Sequence, residues 1–318
     1  MVKWSGNTPR KIGEVELNFS NLCGAQCVFC SRNHGVGNSP LMEPETFAVL
    51  LRQLKDVEIG GPIQTSGNGE VWLNQYYLEY IRELKRELPL TKRWIYNNFS
   101  LMTGGRATAI VRENLFDRIH VRIDSLHKWI FERNSNLNFE AVMKNLEYFM
   151  SINESIPLVI LYNDIKIYYS RCKAVIGKRP ARDYYTDEEL SLVTDEKQAI
   201  EDHFRPLAKA PFSVCKINPC LWAERHQAPK DVTTPCPKLN VIKNVIWVLP
   251  NGDCTCCCYD DRQDTFIAGN IHETHILDIF YGERRAEWIR KIENFETRDY
   301  ACCRNARCCG FGDGMEAK

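Results

Sequence analysis

The stretch EVELNFSNLCGAQCVFC, residues 14–30, contains the pattern that decides the fold. Its first seven residues have the composition of a strand, and Cys23, Cys27 and Cys30 follow within eight positions. Thiolates suit zinc, copper(I) and iron-sulfur clusters, and a structural zinc site normally has its fourth ligand nearby. A 4Fe-4S cluster held by three cysteines leaves one iron open, so the loop predicts such a cluster with a small-molecule ligand. The alternative is three thiols that are merely packed or exposed.

Six strand-like runs alternate with helix-like segments between Glu14 and about Asn218. The helical segments, such as PETFAVLLRQLK and NFEAVMKNLEYFM, carry apolar residues three and four apart. This order is typical of βαβ units and predicts a partial (β/α)6 TIM-like barrel, with the cysteine loop at the carboxyl end of its first strand. The predicted strands are EVELNFS (14–20), PIQTSG (62–67), RWIYNNFS (93–100), RIHVRID (118–124), PLVILYN (157–163) and FSVCKIN (212–218).

Two later segments differ from this alternating series. The polar segment 168–211 predicts one or two helices, one of which begins near Thr186. After a proline-rich stretch at 229–237, the sequence VIKNVIWVLPNGDCTCCCYDD predicts a β-hairpin with its turn at Asn251-Gly252. A helix near 274–294 and a cysteine-dense tail are expected to follow.

The composition excludes several classes of protein. Forty-one basic residues balance 41 acidic ones, so the chain has no net charge to attract nucleic acid or an anionic membrane. No apolar run reaches the roughly 18 residues that span a bilayer, and the start has no signal-peptide core, so we expect a cytoplasmic protein. Fifteen clustered cysteines fit metal ligation better than a disulfide framework, for which a secreted domain would be the alternative.

The Cys-x3-Cys-x-aromatic-Cys pattern at Cys23, Cys27, Phe29 and Cys30 resembles the motif of the radical S-adenosylmethionine (SAM) superfamily. The resemblance implies a 4Fe-4S cluster whose open iron binds the amino and carboxylate groups of SAM. It also implies an external electron donor of the flavodoxin or ferredoxin type, and cleavage of SAM to a 5'-deoxyadenosyl radical that abstracts a substrate hydrogen. Phe29 is then expected beside the adenine.

Further motifs follow in the order found in that family. Gly67, Asn68, Gly69 and Glu70, after the second strand, resemble its Gly-Gly-Glu motif, which meets the SAM amino group, although an ordinary turn explains the same residues. Similarity to relatives suggests four more SAM-binding residues, each with a cap or a surface ion pair as the alternative. They are Asn98 at a Thr-Asn-Gly position, Asp124 and Ser125 near the ribose, and Arg133 near the SAM carboxylate.

The last third of the chain carries nine cysteines. Fifteen residues separate Cys236 from Gly252 and four separate Gly252 from Cys257, which resembles the start of the SPASM and twitch extensions of the superfamily. The resemblance implies an auxiliary 4Fe-4S cluster in a small C-terminal domain, residues 226–318, behind a barrel domain, residues 1–225. Its further ligands are expected among Cys302, Cys303, Cys308 and Cys309, whose pairing departs from the family's Cys-x2-Cys. Three points stay open: which of these cysteines are ligands, whether a second auxiliary cluster is present, and whether the site holds zinc instead.

The resemblance favours oxidation of a small-molecule substrate, polar and sugar-like or aminocyclitol-like, with the auxiliary cluster taking an electron. Peptide modifiers of this subgroup often carry an extra amino-terminal domain, and only about a dozen residues precede the first strand. Oxidation requires a base, and His34, Tyr162, Asp164 and Lys216 are the candidates expected at the barrel mouth. Each has an ordinary loop or surface role as its alternative.

Three other functions remain open. An epimerase requires a hydrogen-atom donor, for which Cys215 and Cys220 are the candidate thiols unless they serve packing. A peptide-crosslinking enzyme would use the same cofactors on a larger substrate. An iron-sulfur electron carrier or scaffold is the alternative without catalysis, but a carrier gains nothing from an open iron.

Overall fold

A computed structural model describes residues 11–27, 30, 40–66, 69–166, 185–217, 236, 239–257 and 265–297. Its strands are β1 (Lys11–Ile12), β2 (Glu14–Leu17), β3 (Glu58–Ile59), β4 (Ile63–Gln64), β5 (Arg93–Asn97), β6 (Arg118–Arg122), β7 (Leu158–Asn163), β8 (Phe212–Ile217), β9 (Val245–Val248), β10 (Asp253–Thr255) and β11 (Ile267–Asn270). Its helices are α1 (Pro44–Leu54), α2 (Tyr77–Glu87), α3 (Gly104–Glu113), α4 (Lys128–Ser135), α5 (Phe139–Ile152), α6 (Asp187–Ser191), α7 (Glu196–Phe204), α8 (Leu239–Asn244), α9 (Ile276–Phe280) and α10 (Glu283–Glu293).

The main sheet of the described residues has nine strands, in the order β11-β10-β9-β2-β4-β5-β6-β7-β8. Every neighbouring pair from β2 to β8 is parallel. These are the six strands expected from the sequence, in the expected order, although each is shorter than predicted. Since β8 ends the sheet and does not pair with β2, the series is a partial barrel, and the fold prediction is confirmed.

The strands separate an apolar face from a polar one, because successive side chains point to opposite sides. Val15, Ile63, Ile95 and Ile119 are fully buried in a core shared with the apolar stripes of α1, α2, α3 and α5. Burying one such side chain stabilises the fold by about 1.5–3 kcal/mol. We call the opposite side of the sheet the inner face. It is defined by Glu14, Glu16, Gln64, Trp94, Tyr96, Arg118, His120 and Arg122.

Helix boundaries follow the caps that the sequence supplies. Thr186 and Glu189 form a reciprocal capping box at the start of α6, which confirms the helix expected near Thr186. The single helix expected near 274–294 is wrong, because Gly282 separates α9 from α10. A Cβ atom there would lie 2.5 Å from the carbonyl oxygen of Asp278, so the close turn between the two helices requires glycine.

The predicted hairpin is present and extends the barrel sheet. β9 pairs parallel with β2, while β10 returns antiparallel beside β9. Gly252 has φ +86°, which glycine adopts without strain, and its position confirms the predicted turn. Gln53 of α1 fastens the hairpin region, since its side chain donates to the Ile271 carbonyl at 2.8 Å and accepts from the Ile276 amide at 2.8 Å.

Candidate functional site

The cysteine loop leaves the carboxyl end of β2 and is fixed at several points by backbone hydrogen bonds. The Asn21 amide donates to the Pro40 carbonyl at 2.7 Å, and the Gln26 amide donates to the Ser135 carbonyl at the end of α4 at 2.8 Å. Within the loop, the Cys30 amide donates to the Cys27 carbonyl at 3.0 Å. The loop therefore lies at the edge of the sheet where the parallel strands end.

The three thiols of this loop lie close enough to affect one another. Burial raises the pKa of the Cys27 thiol to about 12, the nearby Arg122 lowers it, and Cys30 and Cys23 raise it further. Cys23 is exposed, whereas Cys27 and Cys30 are half-buried. Among the described residues, no three side chains of His, Cys, Asp or Glu surround a single metal-ion position.

Arg122, at the carboxyl end of β6, was missed by sequence reasoning. Its Nε donates to Asp124 Oδ1 at 2.9 Å, and the same oxygen accepts from Asn163 Nδ2 at 2.9 Å. Burial lowers the pKa of Arg122, but the negative charges of Asp124 and Cys27 raise it overall. A strand-end arginine beside a predicted ligand loop is the signal that could have identified it.

Glu70 and Asn97 join the ends of β4 and β5. The buried Glu70 carboxylate accepts from the Trp72 amide at 3.2 Å and from Asn97 Nδ2 at 2.8 Å, while burial raises its pKa. The Glu70 amide donates to the Leu22 carbonyl at 2.7 Å, directly before the cysteines. At Gly69 a Cβ atom would lie 2.1 Å from the Ser20 carbonyl oxygen, so only glycine permits this close approach. The structure thus brings Gly69 and Glu70 against the cysteine loop.

The other predicted SAM-binding residues occupy different environments. Asn98 accepts a local hydrogen bond from the Ser100 amide at 2.9 Å. Ser125 is buried and donates to Glu196 Oε1 at 3.0 Å. Arg133 lies in an ion pair with Glu189 at 3.3 Å, which is the surface role that we weighed as its alternative.

The candidates for proton or hydrogen transfer lie on opposite sides of the sheet. Cys215 pairs with Leu161, which pairs with Arg122, so these three positions share the inner face. Tyr162 and Lys216 pair with each other and point to the outer side, where Tyr162 belongs to the apolar core. Lys216 forms an ion pair with Asp164 at 3.0 Å. The alternation therefore corrects the expectation that Tyr162 and Lys216 face the barrel mouth.

Nine predicted site residues lie outside the described residues, so their placement stays a prediction. They are Phe29, His34, Gly67, Asn68, Cys220, Cys302, Cys303, Cys308 and Cys309.

A second group of cysteines belongs to the amino edge of the sheet. β10 runs toward that edge, and the buried Cys257 follows it by two residues. Cys236 lies three residues before the start of α8, which leads into the amino end of β9, and its carbonyl accepts from the Leu239 amide at 3.1 Å. Cys254 and Cys256 are buried, and burial raises the pKa of the Cys254 thiol. The two cysteine groups thus lie at opposite ends of the barrel strands.

Between these ends, the inner face carries a carboxyl group that the sequence did not single out. Glu16 accepts a hydrogen bond from Trp247 Nε1 at 2.7 Å, and the neighbouring Glu14 accepts one from Gln64 Nε2 at 2.9 Å. The Glu16 side chain has protein atoms around it but keeps part of its surface exposed to solvent, as expected for a group that lines a concave face. Burial raises the Glu16 pKa to about 7, with Trp247 lowering it and Glu14 raising it.

A histidine and a tyrosine form an aromatic wall on the same face. The rings of Tyr96 and His120 stack with centroids 4.1 Å apart. Burial and the charge of Arg118 lower the His120 pKa to about 4, so this imidazole is neutral at neutral pH.

Comparisons with known proteins agree with this fold. Residues 236–309 match the SPASM family, described as an iron-sulfur cluster-binding domain. No curated protein matches the sequence. BtrN in complex with AdoMet and 2-DOIA is a similar structure, with a TM-score of 0.55 and 14% identity over 94% of each chain.

Two further structures share the fold. Native anSMEcpe with bound AdoMet has a TM-score of 0.58 and 15% identity, over 94% of this chain and 91% of that chain. Streptococcus suis SuiB bound to precursor peptide SuiA has a TM-score of 0.56 and 14% identity, over 88% of this chain and 67% of that chain. Among the parts of the chain that the structure describes, no helix is long and apolar enough to cross a membrane.

Proposed function

We propose that the chain is a radical SAM enzyme of the SPASM/twitch subgroup and that it oxidises a small polar substrate bearing a hydroxyl or amino group. The match of residues 236–309 to the SPASM family and the fold shared with similar structures support this proposal. Its cofactors are 4Fe-4S clusters and SAM. Together they supply the one-electron chemistry that removes a hydrogen atom from the substrate and accepts an electron from it.

The described residues fit these cofactors in chemistry and place. Cys23, Cys27 and Cys30 would hold the cluster that binds SAM, because they offer three thiols at the carboxyl edge of the sheet. Gly69 and Glu70, packed against this loop, would accompany the SAM amino group. At the amino edge, Cys236 and Cys257 would hold the auxiliary cluster together with tail cysteines.

One observation carries the proposal of an oxidation. The two cysteine groups lie at opposite ends of the same strands, and the polar inner face lies between them. A substrate bound on this face would lie between Cys23, Cys27 and Cys30, which would hold the SAM-binding cluster, and Cys236 and Cys257, which would hold an electron acceptor. An enzyme that regenerates SAM, or an electron carrier, does not require this arrangement.

Glu16 supplies the proton acceptor that such an oxidation needs. Its carboxyl group lies on the inner face, and its pKa of about 7 allows proton uptake near neutral pH. The Trp247 indole holds the Glu16 Oε2 atom in place at 2.7 Å. Glu16 therefore replaces Tyr162 and Lys216, which point to the outer side, as the base that we favour.

The test is an anaerobic assay of the reconstituted protein with SAM, dithionite and a panel of polyols and aminated polyols deuterated at carbon. Oxidation predicts transfer of substrate deuterium into 5'-deoxyadenosine, with one oxidised product per SAM cleaved. Glu16→Gln should keep SAM cleavage and deuterium transfer while forming at least tenfold less oxidised product. If no member of the panel gives its deuterium to 5'-deoxyadenosine, whereas ribosomal peptides do, the small-substrate proposal is wrong.

An epimerase is the second candidate, because Cys215 shares the inner face with Arg122. Its thiol would return a hydrogen atom to the opposite side of the substrate carbon. This reaction predicts that deuterium from the solvent enters the product, and that Cys215→Ala loses this uptake. Ser213→Ala is the control and should keep it, because the Ser213 hydroxyl lies on the same face, 4.0 Å from the Cys215 sulfur. Oxidised product without solvent deuterium would eliminate the epimerase.

The similar structures leave the substrate class open. One was solved with 2-DOIA, whereas another was solved with a precursor peptide. A peptide-crosslinking activity therefore remains the alternative that the substrate panel addresses.

A further inference from the structure

A buried cation lies beside the cysteines at the carboxyl edge. Arg122 is the last residue of β6, and its side chain retains only 26% of its exposed surface. It lies close enough to Cys27 and Cys30 that a thiolate charge on either residue would stabilise its own.

Asp124 and Asn163 hold the Arg122 side chain in position. Asp124 is buried, accepts from Arg122 Nε at 2.9 Å, and also accepts from the Asn163 amide at 3.2 Å and from Asn163 Nδ2 at 2.9 Å. Because β7 thereby anchors Asp124, the guanidinium group is held at the end of β6. A fixed charge in a partly desolvated site acts more strongly than a mobile one in water.

We propose that Arg122 is a positioning residue whose fixed positive charge favours reduction of the cluster held by Cys23, Cys27 and Cys30. Three thiolates make this centre anionic, and reduction adds one more negative charge in a half-buried loop. The electron comes from an external one-electron donor, no bond breaks, and the Arg122 charge offsets the added negative charge. The proposal rests on the assignment of these cysteines in the proposed function.

The test measures the reduction potential of this cluster by an EPR-monitored redox titration of the reconstituted full chain with dithionite. The signal is identified by its change on adding SAM, which distinguishes an open-iron cluster from an auxiliary one. In Arg122→Gln the ratio of reduced to oxidised cluster at a fixed potential should fall about tenfold. For a one-electron couple this corresponds to a reduction potential about 59 mV lower. Arg122→Lys, which keeps the charge, should restore most of that ratio.

Arg118→Gln is the matched control. Arg118 lies on the same strand and face, four residues nearer the amino edge, where its guanidinium covers the Trp94 ring at 4.5 Å. Four residues correspond to about 13 Å along a strand, so this variant should leave the ratio unchanged. An equal fall in Arg118→Gln, or no fall in Arg122→Gln with full iron content, would overturn the proposal.

A second variant separates charge from folding. Asp124→Asn removes the opposing negative charge but keeps a side-chain oxygen that can accept from Arg122 Nε, so the guanidinium stays in place and the reduced fraction should rise. Damage to the fold does not produce such a gain. A fall or no change in this variant at full iron content would contradict the electrostatic role, even if Arg122→Gln fails to fold. Because the titration needs no substrate, its outcome is independent of whether the oxidation proposal holds.

Discussion

At the scale of single residues, the chemistry of this protein depends on which side of a strand a residue occupies. Val15 and Glu16 are neighbours in sequence, yet one packs in the apolar core and the other lines the inner face. The same alternation sets Cys215 apart from Lys216. A shift of one residue in strand register would exchange the two sets, so register and function are specified together.

Glu16 predicts an unusual pH dependence of stability. Its pKa rises from an ordinary 4.5 in the unfolded chain to about 7 in the folded one, so the folded chain binds more protons between these values. This group therefore stabilises the fold fully below pH 4.5 and loses that contribution as the pH rises through about 7. Glu16→Gln lacks this pH-dependent loss. The unfolding free energy of Glu16→Gln minus that of the parent should therefore increase by about 1–3 kcal/mol from pH 5 to pH 8.

Urea unfolding of both proteins at pH 5 and pH 8 measures this difference. Glu58→Gln is the control, because Glu58 is exposed beside Lys11 and should show no such gain. Equal pH dependence in the parent and in Glu16→Gln would contradict the raised pKa.

Gly69 predicts a steric requirement at the cysteine loop. In Gly69→Ala the added Cβ atom would meet the Ser20 carbonyl at 2.1 Å, and backbone must shift to admit it. We expect a loss of about 1–3 kcal/mol in unfolding free energy and weaker SAM binding. Gly105→Ala, whose new Cβ meets no atom within 4 Å in α3, should instead stabilise by about 0.5–1 kcal/mol. Calorimetric melting of both variants distinguishes close approach from a general effect of removing glycine.

At the scale of elements, the joint between β2 and β9 connects the hairpin region to the barrel. Four residue pairs, from Glu14 with Val245 to Leu17 with Val248, form this parallel joint. The Glu16 to Trp247 hydrogen bond crosses it on the inner face. The proposed base and the hairpin that leads to Cys257 are therefore one structural unit.

Trp247→Phe tests that joint. Loss of the indole N–H removes the bond that lowers the Glu16 pKa, so the pH range in which stability declines should move above its position in the parent. A hydrogen bond to a charged group contributes about 1.5–3 kcal/mol, which corresponds to a shift of about one to two pH units. Stability measured from pH 5 to pH 9 reports the shift. In a Glu16→Gln background, Trp247→Phe should not alter the pH dependence of stability. If the shift persists in that background, a group other than Glu16 causes it.

The sequence predicted the barrel elements well because their periodicities are strong. All six parallel strands and four of the barrel helices have apolar residues at regular spacing. α4 was missed because its eight residues, KWIFERNS, mix charged and apolar side chains with little periodicity. The addition of β9 to the edge of β2 was not predictable, because pairing between residues over 200 positions apart leaves no local pattern.

The candidate site was only partly predictable for a related reason. Cys23, Cys27, Cys30 and Glu70 stand in short motifs whose spacing carries the chemistry. Arg122 and Glu16 stand in strands. In a strand sequence, a charged residue that lines a site looks the same as one exposed to solvent, until the curvature of the sheet defines its inner face.

At the scale of the whole molecule, two cysteine groups at opposite ends of one partial barrel are the central feature. The chain aligns over 94% of its length with a structure that holds AdoMet, and residues 236–309 match an iron-sulfur domain. The exposed Cys23 of the first group has no packing role, whereas Cys257 and Cys236 of the second group lie in or against the apolar core. We therefore propose two separate iron-sulfur sites in one chain.

Iron content together with SAM cleavage tests this proposal most directly. After anaerobic reconstitution we expect about eight irons per chain, since each cubane cluster holds four, and formation of 5'-deoxyadenosine from SAM and dithionite. Replacing Cys23, Cys27 and Cys30 with Ala should leave about four irons and abolish SAM cleavage, whereas replacing Cys236 and Cys257 should remove the other four. About four irons in the parent protein, or SAM cleavage that survives loss of the first three cysteines, would contradict the account.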